Sequence, residues 1–172
     1  MNLLDIKSAS DIKSLSVSQL EDLASEIRSA LLMKLSRHGG HIGPNLGMVE
    51  MSIALHYVFD LPTDKIIYDV SHQSYVHKML TGRMDAFVIP EDYDKVTGYT
   101  NPKESPTDIY TIGHTSTAVS LAGGLVKARE LTGGKENIIA VVGDGALSGG
   151  EAFEGLDFAA TLKSGFIIVV ND

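Results

Sequence analysis

The chain has 172 residues, 44% apolar and 21% charged, enough for a globular domain with its own core and unlike a disordered tail or a fibre. Its net charge of −8 comes with scattered basic residues, so no nucleic-acid groove is expected and any anion must be held by local features. There is no cysteine, hence no disulfide framework; the first residues lack the basic-then-apolar order of a signal peptide, and no apolar run reaches the ~20 residues that cross a bilayer. No nucleic-acid or membrane partner is expected, and a cytoplasmic location fits.

Ser18-Gln19-Leu20-Glu21 has capping-box spacing, and Leu20, Leu23, Ile27, Leu31 and Leu35 follow at helical intervals. That helix is expected to end at Gly39-Gly40. A second helix is predicted from about Leu46 to Phe59, with Val49, Ile53, Ala54 and Val58 on its apolar face. Pro62 and Asp64 mark a turn, and Ile66 to Val70 reads as a short buried strand. Thr81 to Pro106, rich in Gly, Pro, Asp and Thr, reads as a long irregular excursion. A helix from about Thr115 to Leu131 ends at Gly133-Gly134. Then strand Ile138 to Val142, a glycine turn, helix Glu151 to Leu162 and strand Phe166 to Val170 form a βαβ unit. The fold class this predicts is α/β, an open, mostly parallel sheet flanked by helices.

Ligands of open parallel sheets bind beyond the carboxyl ends of the strands. After Val70 comes Ser71-His72-Gln73, after Val142 comes Gly143-Asp144-Gly145-Ala146, and after Val170 comes Asn171-Asp172. A carboxylate at Asp144 and an amide oxygen at Asn171, brought to neighbouring strand ends by the βαβ unit, suit a hard cation such as Mg²⁺ that completes its shell with phosphate and water. The glycines flanking Asp144 let backbone approach a diphosphate, and a helix starting near Gly150 points its positive end there.

Asp-Gly is also a hairpin signal, but a helical pattern rather than a second strand follows Gly149-Gly150. A dinucleotide-binding domain is a rival reading; its fingerprint wants a third glycine where Ser148 stands, although Asp172 imitates its ribose-binding acid. His38 and His41 have no third partner for a zinc site. His38, His56 and His77 lie in or beside helical stretches and read as capping, packing or solvent-facing groups. His41, His72 and His114 sit at turns, where function is the better reading.

Four ordered motifs carry a family resemblance: Gly39-Gly40-His41-Ile42-Gly43-Pro44-Asn45-Leu46-Gly47, the run from Asp69 to Arg83, Gly113-His114-Thr115-Ser116-Thr117, and Gly143-Asp144-Gly145 with Asn171. Together they resemble the 1-deoxy-D-xylulose-5-phosphate synthases, in the transketolase-like group of thiamine-diphosphate enzymes. The resemblance runs from Leu20 onward. It implies Asp144 and Asn171 as Mg²⁺ ligands, with Asn171 also near the diphosphate of thiamine diphosphate. It implies cofactor contacts at Gly145, Ala146, His72, Gly113, His114 and Thr115, and a catalytic His41 facing the substrate. The implied reaction decarboxylates pyruvate and joins the two-carbon fragment to glyceraldehyde 3-phosphate, giving a precursor for isoprenoid and thiamine synthesis.

Ser71 stands where glycine is expected before His72, Pro44 replaces a small residue, and Asn101-Pro102-Lys103-Glu104 is less basic than the family suggests. A synthase-like relative or a transketolase with a different acceptor is the second reading these departures admit. The family's third metal contact, a backbone carbonyl two residues past the asparagine, lies beyond Asp172, and its activating glutamate belongs to a separate pyrimidine-binding domain. Residues 1–172 are therefore expected to form a truncated diphosphate- and metal-binding domain, with the pyrimidine-binding and C-terminal domains absent. The full-length protein is expected to be a homodimer. A non-catalytic cofactor-binding module is the alternative from another class.

Overall fold

The computed structural model describes residues 2–172, which form two compact units. One runs to Leu61 and includes His72–Gly98; the other comprises Pro62–Ser71 and Tyr99–Asp172.

The first unit is helical. Helix α1 spans Val17–His38 and is capped by Ser16, two residues ahead of the box predicted at Ser18. Ser16 Oγ accepts the Gln19 N–H at 3.4 Å, while Gln19 Oε1 accepts the Ser16 N–H at 2.9 Å. Both serines fit the pattern; the earlier one gains an extra half-turn of backbone bonds, including Leu20 N–H to Ser16 C=O at 3.0 Å. Leu23, Ile27, Leu31 and Leu35 bury the expected stripe, and Gly39, at φ +81°, ends the helix.

The predicted second helix is two, α2 over Gly43–Gly47 and α3 over Val49–Val58, joined at Met48. The buried face of α3 differs in part from the one expected. Val49 and Ile53 point inward as expected, but Ala54 and Val58 are exposed and Ser52, Leu55 and His56 take their place. His56 can face this core because it is bonded at both ring nitrogens, whereas the buried Ser52 hydroxyl has no hydrogen-bond partner. The His56 Nδ1–H donates to Ser52 C=O at 2.6 Å, which leaves Nε2 to accept from His77 Nδ1 at 2.9 Å.

The predicted irregular excursion is partly helical in this unit. After α4 (Tyr75–Lys78) comes a widened turn at Met79–Arg83, then α5 (Asp85–Val88) and a 3₁₀ turn at Pro90–Lys95. Met84, Ala86, Phe87 and Tyr93 are buried. Buried Lys34 ties them to α1, donating to the carbonyls of Ala86 at 2.7 Å and Tyr93 at 3.1 Å with its ammonium 4.2 Å from the Phe87 ring centroid.

The second unit holds three parallel strands in the order β1 (Lys65–Tyr68), β2 (Ile138–Gly143), β3 (Ile167–Asn171). Helix α6 (Ala118–Thr132) leads into β2; the short α7 (Asp144–Leu147) and α8 (Gly150–Ala160) lead from β2 to β3. The predicted α/β class and the βαβ unit are both present. Ile67, Ala140 and Val142 from the sheet pack with Val119, Ala122 and Val126 of α6. Gly155 lets α6 and α8 approach closely, since a Cβ there would lie 2.8 Å from Ser120 Oγ and 2.9 Å from Ser120 N.

Candidate cofactor-binding site

The candidate residues fall in both units. In the sheet unit, parallel pairing aligns Gly143 with Asn171. Asp144 follows Gly143 directly, so the two oxygen ligands read from the sequence sit at neighbouring strand ends. Asp144 and Gly145 are exposed, Asn171 is half-buried and Ala146 is buried. Among the described residues no group of three or more His, Asp or Glu is placed to hold a metal ion. The candidate pair offers one carboxylate and one amide oxygen, with no Lys or Arg in the 143–150 turn. That chemistry fits a hard cation taking its remaining ligands from water and phosphate.

The loop bearing Gly113, His114 and Thr115 is exposed at all three residues and is fixed from beneath. Asp69, just past β1 and 1% exposed, accepts the backbone N–H groups of Ser116 at 2.8 Å and Ala118 at 2.9 Å, one on each carboxylate oxygen. Helix α6 has no side-chain cap from Thr117, so Asp69 supplies that function from a distant point in the chain. Ser116, at φ +71°, turns its hydroxyl to donate to Ala146 C=O at 2.8 Å, joining this loop to the Asp144 turn. These contacts also explain why α6 starts at Ala118 rather than Thr115.

Ser71 shows why glycine is the natural residue before His72. Val70 and Ser71 both have left-handed backbone, at φ +57° and +66°, where a side chain is strained. Serine tolerates the position here through its hydroxyl, which donates to Ile112 C=O at 2.8 Å and accepts the Thr100 N–H at 3.0 Å. The departure at Ser71 therefore anchors the loop that leads into Gly113.

In the helical unit, His41 and His72 lie together, their rings edge-to-face with centroids 5.2 Å apart. Both are half-buried. His41 follows Gly40, whose φ of +125° suits glycine and where a Cβ would lie 2.9 Å from Tyr75 Oη. That clearance lets Tyr75 Oη reach His41 Nδ1 at 3.3 Å and His41 N at 3.4 Å. A cavity of about 250 Å³ opens beside His41, lined also by Lys34, His38, Tyr75 and Tyr93.

The remaining histidines behave as read from their helical settings. His38 pairs with Asp94 at 3.1 Å on the surface, while His56 and His77 bond each other in the core. Sequence reasoning gave no role to Asn45, Asp69, Tyr75 or Ser116, although all four lie inside the motifs it singled out. The available signal was a polar residue directly beyond a strand end, as at Asp69.

The fold places the chain in a class. A solved transketolase from Leishmania mexicana superposes with a TM-score of 0.68 over 88% of this chain and 27% of that one, at 22% sequence identity, so the fold is transketolase-like. The sequence is more specific: the family model for 1-deoxy-D-xylulose-5-phosphate synthase matches residues 3–172, and the chain belongs to that family. It is 48% identical to the 1-deoxy-D-xylulose-5-phosphate synthase of Symbiobacterium thermophilum over all of this chain and 26% of that protein. It is 49% identical to that of Bacillus velezensis, again over all of this chain and 27% of the relative. The chain thus spans about a quarter of the length of these curated relatives. Among the described residues no helix is long and apolar enough to cross a membrane.

Proposed function

We propose that this chain is the diphosphate- and metal-binding part of a longer transferase that condenses pyruvate with glyceraldehyde 3-phosphate to 1-deoxy-D-xylulose 5-phosphate and CO₂. The observation that supports this reading is the β2–β3 register, which pairs Gly143, the residue before Asp144, with Asn171. Asp144 and Asn171 would hold Mg²⁺, and the backbone of Gly145 and Ala146 would meet the diphosphate of thiamine diphosphate. When bound, that cofactor would supply a carbon nucleophile and an electron sink for decarboxylation. His72 and the Gly113-His114-Thr115 turn would orient it, and His41 would face the substrate.

Two glutamates near the candidate motifs are engaged by other groups, which is consistent with a separate source for the activating glutamate. Glu50 is bound by the Arg28 guanidinium, whose hydrogen bonds hold its carboxyl below the usual range, and Glu151 accepts the Ser120 hydroxyl at 2.6 Å. The full protein would act as a cytoplasmic homodimer. The test is to incubate the full gene product with pyruvate and glyceraldehyde 3-phosphate, with and without Mg²⁺ and thiamine diphosphate. Formation of 1-deoxy-D-xylulose 5-phosphate only when both are present is expected. Turnover with a different aldehyde and none with glyceraldehyde 3-phosphate would replace the acceptor, and turnover without thiamine diphosphate would overturn the reading.

A further inference from the structure

Asn45 is fully buried, and its amide makes three hydrogen bonds that converge on the two histidines of the helical unit. Nδ2 donates to the carbonyl of His41 at 2.8 Å and to the carbonyl of His72 at 2.8 Å. Oδ1 accepts the backbone N–H of Tyr75 at 2.9 Å. Both amide protons and an acceptor lone pair are therefore used, and every partner is main chain. Tyr75 in turn places its hydroxyl against His41 Nδ1 and N. Asn45 thus constrains His41 twice, through its carbonyl and through Tyr75, and constrains His72 once.

The geometry points to Asn45 as a positioning residue that locks the turns bearing His41 and His72 into one unit. No other side-chain type of this size supplies two donors and one acceptor in this plane. Aspartate would keep the bond from Tyr75 but turn two oxygen–carbonyl contacts repulsive; alanine would remove all three hydrogen bonds. The inference rests on the proposed reading in which His72 touches the cofactor and His41 faces the substrate. It adds that these contacts depend on a residue that touches neither.

A double-mutant cycle on cofactor affinity tests this in the full gene product, by titrating thiamine diphosphate with Mg²⁺ into wild type, His72→Ala, Asn45→Ala and the double variant. Each single change is expected to weaken binding about tenfold, and the double variant to bind no more weakly than the worse single one. Losses that multiply to about a hundredfold would show that Asn45 acts independently of His72 and overturn the inference. So would wild-type affinity in Asn45→Ala while His72→Ala is impaired. Wild-type affinity in His72→Ala would instead overturn the cofactor role of His72, and the inference with it.

If Asn45→Ala does not fold, Asn45→Ser takes its place in the cycle. The full gene product without cofactor gives a further measurement, the imidazole proton resonances of both histidines. Those of His41 and His72 are expected to shift together in Asn45→Ser while His114, in the other unit, stays in place. Unmoved His41 and His72 resonances would overturn the inference.

Discussion

Replacing Asp69 by alanine should be among the most damaging single changes in the sheet unit, although Asp69 is not itself a proposed ligand. Its carboxylate is 1% exposed and accepts two backbone N–H groups, those of Ser116 and Ala118. A hydrogen bond to a charged group contributes about 1.5–3 kcal/mol, and losing both here also leaves two buried donors without partners. The expected cost is about 3–5 kcal/mol, or roughly a 10 °C fall in Tm for a chain of this length. Asp69→Asn keeps one acceptor but turns an NH₂ toward the other donor, so about half of that loss is expected. Urea and thermal unfolding of the 172-residue chain measure the cost, and amide hydrogen exchange locates it. The Ser116 and Ala118 amides should lose protection selectively. A change in stability below about 1 kcal/mol, with both amides still protected, would refute the capping role assigned to Asp69.

His72→Ala and His114→Ala should weaken cofactor binding or slow turnover in the full gene product while leaving a cooperative melt, because His72 is half-buried and His114 exposed; loss of the melt in either would make that residue structural. His56 should make the chain acid-sensitive. Burial first, then the charges of His77, Arg83 and Lys13, push its pKa down from 6.5 to about 3 against the raising effect of its bond to Ser52. The folded state therefore binds fewer protons than the unfolded one between these values, so the stability it contributes is full above about pH 6.5 and is lost as pH falls. The slope should approach about 1.4 kcal/mol per pH unit between pH 6 and 4, and His56→Gln should flatten it; an unchanged slope would contradict the assignment. The 172-residue chain alone should show no synthase activity. Pyruvate decarboxylation by the mass-verified chain, free of longer protein, would contradict this.

The elements with strong periodicity were legible before the structure. The stripe Leu23 to Leu35, the βαβ unit and the neighbouring strand ends at Gly143 and Asn171 all follow from residue spacing and the geometry of parallel strands. The failures have local causes. Apolar side chains predict Ala54 and Val58 on the buried face, yet at five and nine residues from Val49 they fall on the opposite side of α3, and polar His56 faces inward because both its ring nitrogens are bonded. The turns Asp85–Val88 and Pro90–Lys95 are too short to show a period, and their burial depends on Lys34, far away in sequence. The supports beneath the candidate residues were hidden for the same reason. Asp69 acts on Ser116 and Ala118, and Asn45 on His72 and Tyr75, through contacts that span long stretches of chain.

The central claim is the metal–diphosphate clamp at the end of the sheet, and the most direct measurement is Mg²⁺-dependent binding of thiamine diphosphate to Asp144→Ala in the full gene product. Asp144 is the one carboxylate in the 143–150 turn and directly follows Gly143, which pairs with Asn171, and no Lys or Arg in that turn can replace the cation's charge. Losing it should cost several kcal/mol, and since each ~1.4 kcal/mol is tenfold, affinity should fall about a hundredfold or more and lose its dependence on Mg²⁺. Near-wild-type affinity that still rises with Mg²⁺ would contradict the account.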